Sequence, residues 1–256
     1  MRHEFGDEIM TARFSVRFDA PESEEKRLRA VAEEIFGEIR HLESLLSRFV
    51  EDSDVSQINR LSHGESVVVA AETFRCLELA EEATLVMNGY FDVAYLSPVA
   101  EGRPFSLLRK PHRVRSEVQS LHIDLGGIGK GFALDHVSPI PLRYGYPRVL
   151  LGADSSTMLA LDPPENLSAW EVSIDMEGKK LRIKLNNMAV GCSGTSTRGE
   201  HIFDTKRRSW TTQATRCCLL APSAAWADAF STAGLIDVNA VKSVVAAVFR
   251  SGGTSG

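Results

Sequence analysis

The sequence lacks any excess of basic charge. Its 256 residues hold 29 Lys and Arg against 34 Asp and Glu, a formal net charge of −5. Binding a phosphate backbone needs a basic face, so the balance argues against nucleic acid as the main partner. The densest basic run, Lys206-Arg207-Arg208, is short, is flanked by turn residues and reads as a solvated loop. Cysteine is scarce. Cys76, Cys192, Cys217 and Cys218 show no C-x-x-C spacing, and neighbouring Cys217 and Cys218 would point to opposite faces of a strand. Reduced, buried thiols are expected, as suits a reducing compartment. No apolar run is long enough to span a bilayer. The opening MRHEFGDEIM is charged and has no apolar h-region, so no signal peptide is expected and the chain reads as soluble and cytoplasmic.

What is present is an ordinary globular composition, 43% apolar and 25% charged. One domain is expected over residues 1–250, with the run SGGTSG at 251–256 as a disordered tail. Phe14, Val16 and Phe18 alternate with polar residues and predict a strand. From Leu28 to Phe49 apolar residues recur at helical spacing and predict a long amphipathic helix. A short helix near DSDVSQIN, a strand at ESVVVA and a helix over 71–87 follow. Residues 89–120, with Pro98, Pro104 and Pro111, read as a loop-rich connection. RVLLGA, STMLAL, WEVSID, LRIKL and MAVGCS are short β-type runs that suggest antiparallel pairing. WTTQATRCCLLA adds a strand, SAAWADAFSTAGL a helix and KSVVAAVF a last strand. Without strict βαβ alternation the pattern is α+β, antiparallel or mixed sheets with helices packed on them.

The stretch LHIDLGGIGKGFALDHV, from Leu121 to Val137, sets four glycines and a lysine between an apolar strand and an apolar helix. A Walker A loop needs a glycine where Asp124 stands and a Ser or Thr where Gly131 stands, so that motif fails. The G-x-G-x-x-G spacing fails as well. The physics of the turn survives: glycines allow close approach, the start of a helix favours an anion, and Lys130 adds a positive charge. A tight junction with glycines for packing is the alternative. In WADAFSTAG, Asp228 and Thr232 lie four apart on one helix face. Together they offer two hard oxygen ligands of the kind that suits Mg²⁺. The alternative is a Thr232 bonded to its own helix and a solvated Asp228.

These motifs together resemble the ApbE-type flavin transferases. The matching stretches are LSRFVEDSDVSQIN, GYFD, DLGGIGKGFALD, LGAD, AVGCSG, HIFD and ADAFSTA, in the family's order and across almost the whole chain. The resemblance implies an ApbE-like, T-fold-related architecture and Mg²⁺-dependent transfer of FMN from FAD to a Thr or Ser of an acceptor protein, with release of AMP. It implies Mg²⁺ bound by the carbonyl of Gly127 with Asp228 and Thr232. It places FAD against Met10, Phe49, Tyr90, Phe91, Asp92, Asp124, Lys130 and Ile202. Asp228 and His201 are the catalytic candidates, with a structural histidine as the alternative for His201. The chain departs from the family where HIFDTKRRSW stands for HIIDPRTG, LGAD for LGGD, and Cys192 for a threonine. An FAD pyrophosphatase and a non-catalytic FAD-binding protein therefore stay open beside the transferase.

Overall fold

The computed structural model describes residues 2–98, 102–194, 203–210 and 216–251. In chain order the elements are β1 (Arg2–Ile9), β2 (Ala12–Asp19), α1 (Glu25–Leu46), α2 (Asp54–Ile58), β3 (Ser66–Val68) and α3 (Ala71–Val86). Next come β4 (Phe105–Arg109), β5 (His112–Ser116), α4 (Gly129–Val137), α5 (Pro139–Arg143), β6 (Val149–Ala153) and β7 (Thr157–Ala160). They are followed by β8 (Trp170–Met176), β9 (Lys179–Leu185), β10 (Met188–Gly194), β11 (Phe203–Asp204), β12 (Ser209–Trp210), β13 (Arg216–Ala221), α6 (Ala224–Ile236) and β14 (Ala247–Ser251). The expected α+β class holds, and each recorded strand pair is antiparallel.

A seven-stranded sheet in the order β1-β2-β6-β7-β10-β13-β14 forms the centre. Its strands alternate, so each face carries its own core. Phe14, Val16 and Phe18 of β2 are fully buried on the face that α1, α4 and α6 cover. Burial of side chains this size stabilises by about 1.5–3 kcal/mol each. On the other face the β8–β9 hairpin lays Trp170, Val172 and Ile174 over Leu150, Val190 and Cys218. Leu28, Val31, Ile35, Ile39, Leu42 and Leu46 form the buried stripe of α1, as the spacing predicts. That helix stops at Leu46, so Phe49 leaves it and stands 76% exposed.

Several expectations need correcting. Residues 2–9 form an edge strand that sequence reading passed over, because its alternation is masked by charges, which are themselves a device against edge-to-edge pairing. Met10 and Thr11 turn it back into β2, both at positive φ. The loop-rich region holds the β4–β5 hairpin, joined to β3 in a three-stranded sheet. Leu121 to Leu125 form no strand. Their backbone is satisfied locally: Asn59 bonds both the N–H and the carbonyl of Ile123, and Asp124 N–H donates to Val93 O. Cys192 and Cys218 are not reduced thiols. They face each other across β10 and β13 with Cα atoms 4.1 Å apart and form a disulfide, while Cys76 and Cys217 form no disulfide and are buried. Ser251, expected in the tail, belongs to β14; the rest of that expected tail, residues 252–256, lies outside those described. Among the described residues no helix is long and apolar enough to cross a membrane.

Candidate active site

A cavity of about 980 Å³ opens at one end of the large sheet, between the β1–β2 turn, the glycine turn before α4 and the loops around Phe49, Tyr90 and Phe203. Met10, Phe49, Tyr90, Phe91 and Asp92 line it, and so do Asp124, Gly127, Lys130, Asp228 and Thr232. Those are all the expected site residues except His201 and Ile202, which lie outside the described residues.

Helix α6 carries the deepest part of the site. Eight of its thirteen residues are Ala, Gly, Ser or Thr, and ten of its thirteen positions are buried. Its N-terminus is fixed by Asp135 at the end of GKGFALD. That carboxylate accepts from Ala224 N–H (2.8 Å), Ala225 N–H (2.8 Å) and the Ser223 hydroxyl (2.6 Å). Burial raises the Asp135 carboxyl above its ordinary 3.8, these three donors oppose the rise, and the charge of Asp228 adds to it. Two glycines let α6 press this close. A Cβ on Gly131 would lie 2.7 Å from Ala225 N, and one on Gly191 2.7 Å from Asp228 N. Within the glycine turn Gly131 is there for packing, as the alternative reading had it, while Gly127 faces the cavity.

Asp228 is 3% exposed, so it is not the solvated carboxylate of the alternative reading. One oxygen accepts from Gly131 N–H at 3.2 Å, the other from the Thr157 hydroxyl at 3.1 Å. Among the described residues no cationic side chain pairs with it. Thr232 lies 3.4 Å from the carbonyl of Asp228, as the alternative foresaw, but its hydroxyl also stands 3.0 Å from Ser193 Oγ. It lies 3.4 Å from where a Cβ of Gly127 would be, so Gly127 and α6 meet at the cavity floor. Among the described residues no three His, Cys, Asp or Glu side chains converge as a metal site. A carboxylate, a hydroxyl and a carbonyl form a different kind of set, one that suits an ion completing its shell with water and phosphate oxygens. A buried carboxylate held only by neutral donors fits a cation beside it.

The expected anion site at the start of α4 is partly spent. Gly126 N–H donates to Asp124, Gly129 N–H to the Leu125 carbonyl and Gly131 N–H to Asp228. Positive charge instead comes from Lys130, whose ammonium crosses the turn to the Gly126 carbonyl at 3.3 Å. Asp124 is held by Arg48 (3.3 Å) and by the Tyr95 hydroxyl (3.3 Å). Burial, then the nearby Asp124 carboxylate, push the Tyr95 phenol up to about 12, and Arg48 opposes them. Asp92 turns inward to accept from Ala94 N–H at 2.8 Å, and burial raises its carboxyl.

The loop after His201 closes by another device than proline and glycine. Asp204 accepts from Lys206 N–H and Arg207 N–H, both at 2.9 Å, and Arg208 takes the positive φ. Its basic run is an exposed turn, as expected, and two of its three residues are anchored. Lys206 donates to Asn88 O and stands 5.1 Å from the Tyr90 ring centre, while Arg208 donates to Tyr95 O at 3.1 Å; Arg207 is 82% exposed. Sequence reasoning missed Arg48, Tyr95, Thr157 and Ser193. Arg48, Tyr95 and Ser193 sit inside or next to the quoted motifs, a signal that was available; Thr157 is marked only by its place on the sheet.

The model of the ApbE family matches residues 10–247. Among solved structures, the flavinyl transferase ApbE of Pseudomonas stutzeri in its apo form is 20% identical with a TM-score of 0.77, covering 92% of this chain and 84% of that one. The flavin transferase ApbE of Vibrio cholerae is 14% identical with a TM-score of 0.78, covering 95% and 91%. The ApbE protein of Thermotoga maritima is 22% identical with a TM-score of 0.78, covering 92% and 87%. At such identities the likeness establishes the fold. No curated protein matches the chain.

Proposed function

This chain belongs to the ApbE family, and on that premise we propose that it is a flavin transferase that moves FMN from FAD to a Thr or Ser hydroxyl of an acceptor protein and releases AMP. The observation that carries the reading is the cavity itself: residues scattered from Met10 to Thr232 line one space large enough for a dinucleotide. Exposed Phe49 would stack on the flavin ring, with Met10, Tyr90 and Phe91 on the remaining walls. Asp124, already oriented by Arg48 and Tyr95, would accept from the ligand. Lys130 would balance phosphate charge.

Asp228, Thr232 and the carbonyl of Gly127 would hold Mg²⁺, which when bound neutralises charge on the pyrophosphate. Such transfer asks the protein chiefly for positioning. Asp228 is the ligand of the candidate pair, since its buried charge meets only neutral donors, Gly131 N–H and the Thr157 hydroxyl, and each oxygen keeps a lone pair for a cation. The proton of the acceptor hydroxyl then falls to His201, on the family resemblance.

The test is AMP release from FAD with Mg²⁺, with and without a flavin-acceptor protein whose mass is followed. The expected result is AMP and a flavinylated acceptor together, both abolished by chelation. Equal AMP without acceptor would make the protein a pyrophosphatase; tight FAD binding with no AMP would make it a carrier.

A further inference from the structure

We infer that Thr157 is a positioning residue for Asp228, one that sets the strength with which the site holds its divalent cation. The inference rests on the reading of Asp228 as a metal ligand. Thr157 opens β7 and is fully buried, on the sheet face that meets α6. Its cross-strand partner on β10 is Gly191, the residue whose missing side chain lets the backbone of Ala227 and Asp228 lie against the sheet. The two features work as a pair. Gly191 brings the helix within reach, and the Thr157 hydroxyl then donates to one Asp228 oxygen at 3.1 Å. Gly131 N–H, available only because Gly131 also lacks a side chain, holds the other oxygen at 3.2 Å.

A carboxylate gripped at both oxygens cannot rotate about its last bond. Each oxygen keeps a further lone pair, and those lone pairs are the ones that can face the cavity. Without the Thr157 hydroxyl, one oxygen of a buried anion loses its donor, and the plane of the group is set by Gly131 alone. Groups that orient a metal ligand in this way typically change metal affinity by about 10–100-fold when removed. Thr157 touches neither substrate nor cation in this account; it acts through Asp228.

The experiment titrates Mn²⁺, as a probe for the divalent site, into the full-length chain with FAD and no acceptor, reading free Mn²⁺ by electron paramagnetic resonance. Thr157→Val and Thr157→Ala should bind Mn²⁺ about tenfold or more weakly, while Thr157→Ser, which keeps the hydroxyl, stays within about threefold of the parent. In turnover, the Mg²⁺ concentration for half-maximal AMP release should rise in step, with kcat at saturating Mg²⁺ changing far less. If the valine variant fails to fold, the serine and alanine variants decide the matter, because they differ by a single hydroxyl. Equal Mn²⁺ affinity in the alanine and serine variants overturns the inference and leaves Asp228 its role. A parent protein that binds no Mn²⁺ with FAD overturns the inference together with the reading it rests on.

Discussion

The two ends of the cavity are built on opposite terms. At the α6 end, backbone meets backbone: Gly131 and Gly191 leave no room for a methyl group, and a 3%-exposed carboxylate sits between α4, β7 and α6. At the other end, the one proposed for the flavin, the walls are loops. Phe49 stands out of the protein on the residue run that leaves α1, with the Arg48 guanidinium 4.3 Å from its ring centre. The contrast suits what each end is proposed to hold. A small divalent ion demands fixed oxygens, and fixed oxygens require rigid elements. An aromatic ring system tolerates a movable platform, and a loop is a cheap place to put one.

If that contrast is right, substitutions at the rigid end should damage both chemistry and fold, and those at the loop end should touch binding alone. The largest effect is expected for Asp228→Asn, which keeps the shape of the side chain and removes its charge. AMP release should fall by about a hundredfold or more, since a lost cation removes several kcal/mol of transition-state stabilisation; single-turnover assays at saturating FAD measure it. Next comes Gly191→Ala. Its methyl group would enter the backbone of Ala227 and Asp228, so either β10 or α6 must shift, and stability should drop by about 1–3 kcal/mol in urea unfolding. No change there would show that the helix is free to float, and the comparison would break.

Phe49→Ala sharpens the other side. It removes an exposed ring, so the unfolding midpoint should stay put, within about 0.5 kcal/mol. FAD should bind more weakly by about 1 kcal/mol, roughly fivefold, from the lost stacking; fluorescence quenching of the flavin reads this directly. The smallest effect concerns pH. Tyr95 has its phenol raised from 10.0 to about 12, so folding favours the protonated form. Its contribution to stability is fully present below pH 10 and is lost as pH climbs through about 12. Alkaline difference absorbance should show Tyr95 titrating last of the four tyrosines, and Tyr95→Phe should remove that last step and flatten the loss of stability between about pH 10 and 12.

Much of the fold was legible because its elements obey simple periods. The stripe from Leu28 to Leu46 and the alternation of Phe14, Val16 and Phe18 each reflect one buried face, and the structure buries those residues. Reading failed where something other than a period carries the structure. Residues 121–125 look like a strand because they are apolar, yet Asn59 supplies the hydrogen bonds a neighbouring strand would have made. The Cys192–Cys218 pair depends on strand register, which adjacent residues do not reveal. The lining of the candidate site was legible where the chain keeps family motifs. Thr157 was not, because a threonine in a short β run acquires meaning only through the glycine opposite it and the helix above.

The central claim is that Gly127, Asp228 and Thr232 surround one divalent cation beside the pyrophosphate of FAD. Its most direct test is anomalous scattering from crystals soaked with FAD and Mn²⁺. A single peak within bonding distance of an Asp228 carboxylate oxygen, the Thr232 hydroxyl and the Gly127 carbonyl is the predicted result. Ordered FAD in the cavity with no anomalous density at those three atoms would contradict it.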